Sequence, residues 1–110
     1  MINQIVLTGN LGDDPTVFYN AENGNPVASF DIAFRFYRDG TGWIRVKTFQ
    51  RLAEITEKYL RKGDRIGRVG FLQQESWQTE EGVNKRYYQI IANSIEFIKV
   101  KNTQEEEIPI

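Results

Sequence analysis

Apolar and polar side chains alternate with a period of two through most of this chain, and helical spacing occupies one short stretch of it. Residues 2–11 read as a strand centred on Ile5-Val6. It runs into Gly9-Asn10-Leu11-Gly12-Asp13-Asp14-Pro15, whose glycines and proline predict a bend or bulge before a turn. Val17, Phe18 and Tyr19 begin a second extended piece that stops at Asn23-Gly24-Asn25-Pro26, a hairpin signal. From Val27 a long strand places Ala28, Phe30, Ile32 and Phe34 on an apolar face. Ser29, Asp31 and Arg35 lie on the other, which Val27 and Ala33 interrupt. After a turn at Arg38-Asp39-Gly40-Thr41-Gly42, alternation resumes: Trp43, Arg45, Lys47 and Phe49 share one face, and Ile44, Val46 and Thr48 the other. Residues 52–62 are predicted as a helix, with Leu52, Ile55, Thr56, Tyr59 and Leu60 at helical spacing. Glu54 and Glu57 lie nearer its start, Lys58, Arg61 and Lys62 at its end, and Gly63 at the C-cap. Residues 65–77 form a further strand, 78–85 its turn, and 86–98 a last, apolar strand.

About five strands with one helix between the third and fourth predict an all-β chain: an OB-fold, a five-stranded Greek-key barrel with the helix plugging one end. Its 110 residues, 40% of them hydrophobic, suit a single domain. That domain is expected over residues 1–99. Residues 100–110 lose periodicity and form a short acidic tail. No run approaches the roughly 18 apolar residues of a membrane span, and Met1-Ile2-Asn3-Gln4 lacks the features of a signal peptide, so a cytoplasmic or organelle-stroma address is expected.

Chemistry is bounded by what is missing. Without cysteine there is no disulfide, thiolate metal site or thiol nucleophile; without histidine the usual general base and commonest metal ligand are absent. Asp13-Asp14 sits in a Gly/Pro turn, where adjacent carboxylates cap the turn rather than catalyse. Gly67-Arg68-Val69-Gly70 lacks the pattern of a phosphate cradle, and Gly70 reads as room for a bend in a barrel. A non-enzyme without cofactor or metal is expected.

The net charge of −1 conceals an uneven distribution: −4 over residues 1–34, +6 over 35–68 and −3 over 69–110. A basic middle on a near-neutral protein can attract phosphates locally, or merely solvate a face. Trp43-x-Arg45-x-Lys47-x-Phe49 separates these readings, because a core does not accept two cations. Exposed, the rings stack on bases while the cations meet phosphates; alternatively, the two rings turn into a subunit interface. Trp77, before an exposed turn, supplies a further candidate ring. So does Tyr37, which shares the polar face with Arg35, although the adjacent Phe36 remains an alternative. Arg51, Lys58, Arg61 and Lys62 accompany the helix, either as dipole partners or as phosphate contacts.

Several segments in order are similar to the bacterial single-stranded DNA-binding protein family. They are Asn3-Gln4-Ile5-Val6-Leu7-Thr8-Gly9-Asn10-Leu11-Gly12-Asp13-Asp14-Pro15, Val27-Ala28-Ser29-Phe30, Trp43-Ile44-Arg45-Val46, the helix from Leu52-Ala53-Glu54 to Tyr59-Leu60-Arg61-Lys62-Gly63-Asp64, and residues 77–87. The resemblance implies an OB-fold homotetramer that wraps single-stranded DNA without sequence preference in replication, recombination or repair. It implies stacking by Trp43, Phe49, Trp77 and Tyr37, and phosphate contacts from Arg45, Arg51, Lys62 and Arg86. Glu105-Glu106-Glu107-Ile108-Pro109-Ile110 resembles the family's acidic tip without its linker, which implies docking of replication or repair proteins; a solubilising terminus is the alternative reading. The chain departs from the pattern in a short segment between Arg35 and Trp43, in Gln73, Gln74 and Glu75 where relatives carry cations, and in apolar Val69 and Phe71, which suggest an altered subunit contact. These departures motivate a second reading, a diverged OB-fold replication or primosome accessory protein acting through protein contacts.

Overall fold

The computed structural model describes residues 1–99. Strands β1 (Ile5–Leu11), β2 (Thr16–Tyr19), β3 (Pro26–Phe36) and β4 (Gly40–Phe49) precede helix α1 (Gln50–Tyr59), and β5 (Arg65–Gln78) and β6 (Asn84–Lys99) follow it. The sheet order is β1-β5-β6-β4-β3-β2, and β1 also pairs with β3. That additional pairing, Asn10 with Ala33 and Leu11 with Ile32, closes β1, β5, β6, β4 and β3 into a five-stranded barrel. The helix falls between its third and fourth strands in chain order, as in the OB-fold. Short β2 lies outside the closed ring, as an edge strand on β3.

The barrel interior holds Leu11, Phe30, Ile32, Val46, Leu60, Ile66, Ile90, Ala92 and Ile95, the alternating positions of the strands together with one residue beyond the helix. The helix buries Ala53, Ile55, Thr56 and Tyr59. It is tied to the wall by two threonines: Thr48 donates to the Ala28 carbonyl at 3.2 Å, and its hydroxyl lies 3.4 Å from that of Thr56. β4 passes directly into α1 at Gln50, a non-glycine residue at a left-handed φ of 53°.

The structure revises several element boundaries. The helix ends at Tyr59, not at Lys62. Leu60 is fully buried in an extended conformation, and the Asp64 carboxylate accepts the Arg61 backbone N–H at 2.8 Å, pulling the chain off its helical path. Arg61 and Lys62 therefore lie beyond the last turn, and Gly63 is not its cap. β1 starts at Ile5 rather than Ile2, but Asn3 prolongs its ladder: the side-chain amide donates to the Leu72 carbonyl and accepts the Leu72 N–H, both at 2.9 Å. The β3–β4 turn is only Tyr37-Arg38-Asp39, because Gly40 and Gly42 already pair with Phe36 and Phe34. A Cβ on either glycine would strike the facing ring, so each phenylalanine lies across its glycine partner. At Gly70 the β5–β6 register shifts, and a Cβ there would strike the Ile91 carbonyl, which makes it the bend expected from the sequence. Among the described residues, no helix is long and apolar enough to cross a membrane.

One core position breaks the apolar rule. Arg68 is 2% exposed, none of its three guanidinium nitrogens has a hydrogen-bond partner among the described residues, and its Cζ lies 5.1 Å from the centre of the Phe30 ring. Burial pulls its pKa down to about 10. The ring's quadrupole offsets part of the desolvation penalty. At neutral pH the native state bears the whole desolvation penalty, on the order of 3 kcal/mol before that offset, which fades only as pH climbs from about 10 towards the ordinary arginine value. Arg68→Met is expected to stabilise the fold by about 1–4 kcal/mol. Urea denaturation would show this as a higher midpoint at unchanged slope; a lower midpoint would mean that the cation is needed for the barrel to pack.

Candidate nucleic-acid interface

The four residues of the alternating β4 motif stand outside the barrel. Val46 and Thr48 are fully buried and Ile44 packs on the core, so period two turns Trp43, Arg45, Lys47 and Phe49 outward. Trp43 is 61% exposed and Phe49 44%. Cross-strand register extends this face in rows. Ala33 lies opposite Trp43, Asp31 opposite Arg45, Ser29 opposite Lys47 and Val27 opposite Phe49. On the other side Gln89 of β6 adjoins Arg45, and Gln73 of β5 adjoins Gln89.

The cations of this face are not equivalent. Arg45 donates to Asp31 through Nε at 3.0 Å and Nη2 at 3.4 Å. That hydrogen bond, then the carboxylate's charge, raises the Arg45 pKa, with a lesser contribution from the Tyr87 phenol. The local charge is therefore largely cancelled. Lys47 has no ion-pair partner among the described residues.

Trp77 and Tyr87 lie on the same face, on a ribbon that leaves the barrel. The parallel β4–β6 pairing runs from Gln89 to Ile91, so among the described residues 74–78 of β5 and 84–88 of β6 pair only with each other. Their turn is held by Gly82 at φ 86° and by the Thr79 carbonyl and hydroxyl, which accept the N–H groups of Gly82 and Val83. The Trp77 and Tyr87 rings meet edge to face, 5.5 Å between centres. Gln89, fully buried, donates to Gln73 at 2.8 Å and to Glu75 at 3.3 Å. Of the stretch without cations, Gln73 and Glu75 are thus joined through Gln89 on this face, while Gln74 takes the opposite parity.

The other sequence-predicted residues are scattered. Tyr37, at φ 55° and 91% exposed, caps the β3–β4 turn, while Phe36 is also exposed at the end of β3. Arg51 lies in the first turn of α1 rather than near its C-terminus, and is exposed. Lys62 is exposed, and its backbone N–H donates to Asp14 Oδ1 at 2.8 Å. Asp13 Oδ1 in turn accepts the Asp14 N–H, so the adjacent acids clamp turns. Arg86 pairs with Ser76, on the opposite face of the ribbon from Trp77, although both border a cleft of about 490 Å³. Residues 105–110, the acidic tip, lie outside the described residues.

Two exposed rings on this face were not singled out from the sequence, Tyr87 and Phe18. Counting period two through each hairpin finds them once the turn lengths are known. Beneath Trp43 lies Gly12, where a Cβ would run into the indole. The ring borders a polar cleft of about 370 Å³ lined also by Asp31 and Arg45.

A model of the single-strand binding protein family matches residues 2–98. Curated single-stranded DNA-binding proteins of Neisseria meningitidis, from serogroups A and B, are each 31% identical to the chain over 109 residues, which is 92% of this chain and 62% of the relative. The chain thus spans less than two thirds of those relatives. The solved structure "Plasmodium falciparum SSB complex with ssDNA" aligns with a TM-score of 0.81 at 31% identity, covering 90% of this chain and 96% of that one.

Because the indole rests on Gly12, Gly12→Ala is expected to swing the Trp43 ring away while leaving the barrel folded. Tryptophan emission and near-UV dichroism should change with little movement of the unfolding midpoint. Unchanged spectra would show that the ring does not rest there.

Proposed function

The chain belongs to the single-strand binding protein family, and on that premise we propose that it binds single-stranded DNA without sequence preference, coating and protecting exposed strands. The observation that carries this reading is the outward face of β4, where two rings flank two cations, continued by Trp77 and Tyr87 on the ribbon. Rings stack on any base, and cations attract any phosphate. Neither contact reads sequence, which needs hydrogen bonds to base edges. Binding that stacks and neutralises breaks no covalent bond, so no catalytic residue enters the reading.

The reading extends to a homotetramer. Val6 is 71% and Ile98 54% exposed, and the Ile98 side chain lies over Gly67. Among the described residues, 5–9 of β1 pair on one side only, with β5. An apolar surface beside an open strand edge favours contact with another copy. The acidic tip is proposed to dock replication or repair proteins, supported by its composition.

Adding poly-dT should quench the tryptophan emission, and affinity should fall with salt at a logarithmic slope of about −0.7 per phosphate neutralised. Trp43→Ala should weaken binding by about 1–3 kcal/mol without unfolding the protein. Asp31→Asn should strengthen it and steepen the slope by about one phosphate, because Arg45 is released. No quenching at low salt would count against single-strand binding. Light scattering should return a tetramer mass for the parent and a lower mass for Val6→Glu; a monomeric parent would rule out the assembly.

A further inference from the structure

We propose that the nucleic-acid path continues past Phe49 onto edge strand β2, where Phe18 supplies a further base-stacking ring. The inference deepens the single-strand-binding reading and rests on it. Register places Phe18 opposite Val27, and Val27 opposite Phe49, so the three side chains form one row across β2, β3 and β4. The inward row beside it is Val17, Ala28 and Thr48, with the last two fully buried. Alternation therefore sets the Phe18 row on the outer side, with the β4 motif.

Phe18 is 49% and Phe49 44% exposed, while Val27 between them is 5% exposed. At about 4.8 Å per strand, the two phenylalanine backbones stand roughly 10 Å apart. Two half-open rings thus border a covered aliphatic side chain at the margin of the sheet.

Electrostatics gives the path its direction. The neighbouring row is Thr16, Ser29 and Lys47, and its single charge is that of Lys47. One row further, Arg45 is held by Asp31. The uncancelled positive charge among these rows therefore lies at the Phe18–Phe49 end of the face, away from Trp43. A phosphate drawn to Lys47 by a strand stacked on Trp43 brings the following bases over Phe49 and then Phe18.

Oligo-dT binding at low salt, followed by fluorescence anisotropy with solution mass measured in parallel, tests this in the full chain. Phe18→Ala should bind roughly tenfold more weakly than the parent at unchanged mass. Tyr19→Ala is the control: its ring is more exposed, at 62%, but lies on the opposite face, and its affinity should not change. F18W combined with W43F and W77F replaces both native tryptophans, so its emission reports position 18 alone. That indole should be quenched at saturating oligo-dT. Phe18→Ala within twofold of the parent while Trp43→Ala is weakened, or an unquenched indole in a saturated complex, would overturn the role of Phe18 and leave the β4 face standing. Full affinity in Trp43→Ala as well would remove the face and the proposal together. A changed mass with unchanged affinity would make Phe18 a subunit contact and overturn the proposal.

Discussion

The wall of a closed barrel has one packed side, and the pairing register of β4 decides which of its residues take that side. Val46 and Thr48 have no exposed surface, and Thr48 is bonded both to β3 and to the helix. A slip of one residue would drive Arg45 and Lys47 into the apolar interior and expose Val46 and Thr48. The core therefore enforces the outward face. Rings and cations stay available because their neighbours along the strand cannot be anywhere else.

Two arginines show how the same side chain behaves on either side of that wall. Arg45, half exposed, is steadied by a carboxylate on the adjacent strand, which moderates its charge without removing it. Arg68 lies inside, over an aromatic ring, with no hydrogen-bond partner among the described residues and a depressed pKa. The first arrangement costs little and keeps the cation at the surface. The second opposes stability and is tolerated because the surrounding residues bury enough apolar surface to outweigh it.

Much of this architecture was legible in the alternation of the strands, since inside and outside are set by parity alone. The β4 face, the barrel with its single helix and the bend at Gly70 all follow from pattern. Other features depend on register, which parity does not supply. The Asp31–Arg45 pair joins residues fourteen positions apart and exists only once the β3–β4 turn is shortened to three residues. The face on which Arg86 lies depends likewise on the length of the turn before it. The early end of the helix was hidden because Leu60 fits a helical stripe, yet it is buried from an extended backbone while Asp64 captures the next amide. Arg68 stands on the core parity of β5, where its charge disguised its location.

The ribbon formed by the free ends of β5 and β6 has a consequence of its own. Among the described residues, these strand ends pair only with each other, and a two-stranded ribbon has less to hold its backbone bonds closed than the barrel wall has. Its tip at residues 79–83 is remote from every residue of the apolar interior. A reporter dye or short peptide grafted at that tip would sit at the end of a projecting boom, sensing what the ribbon touches while leaving the foundation undisturbed.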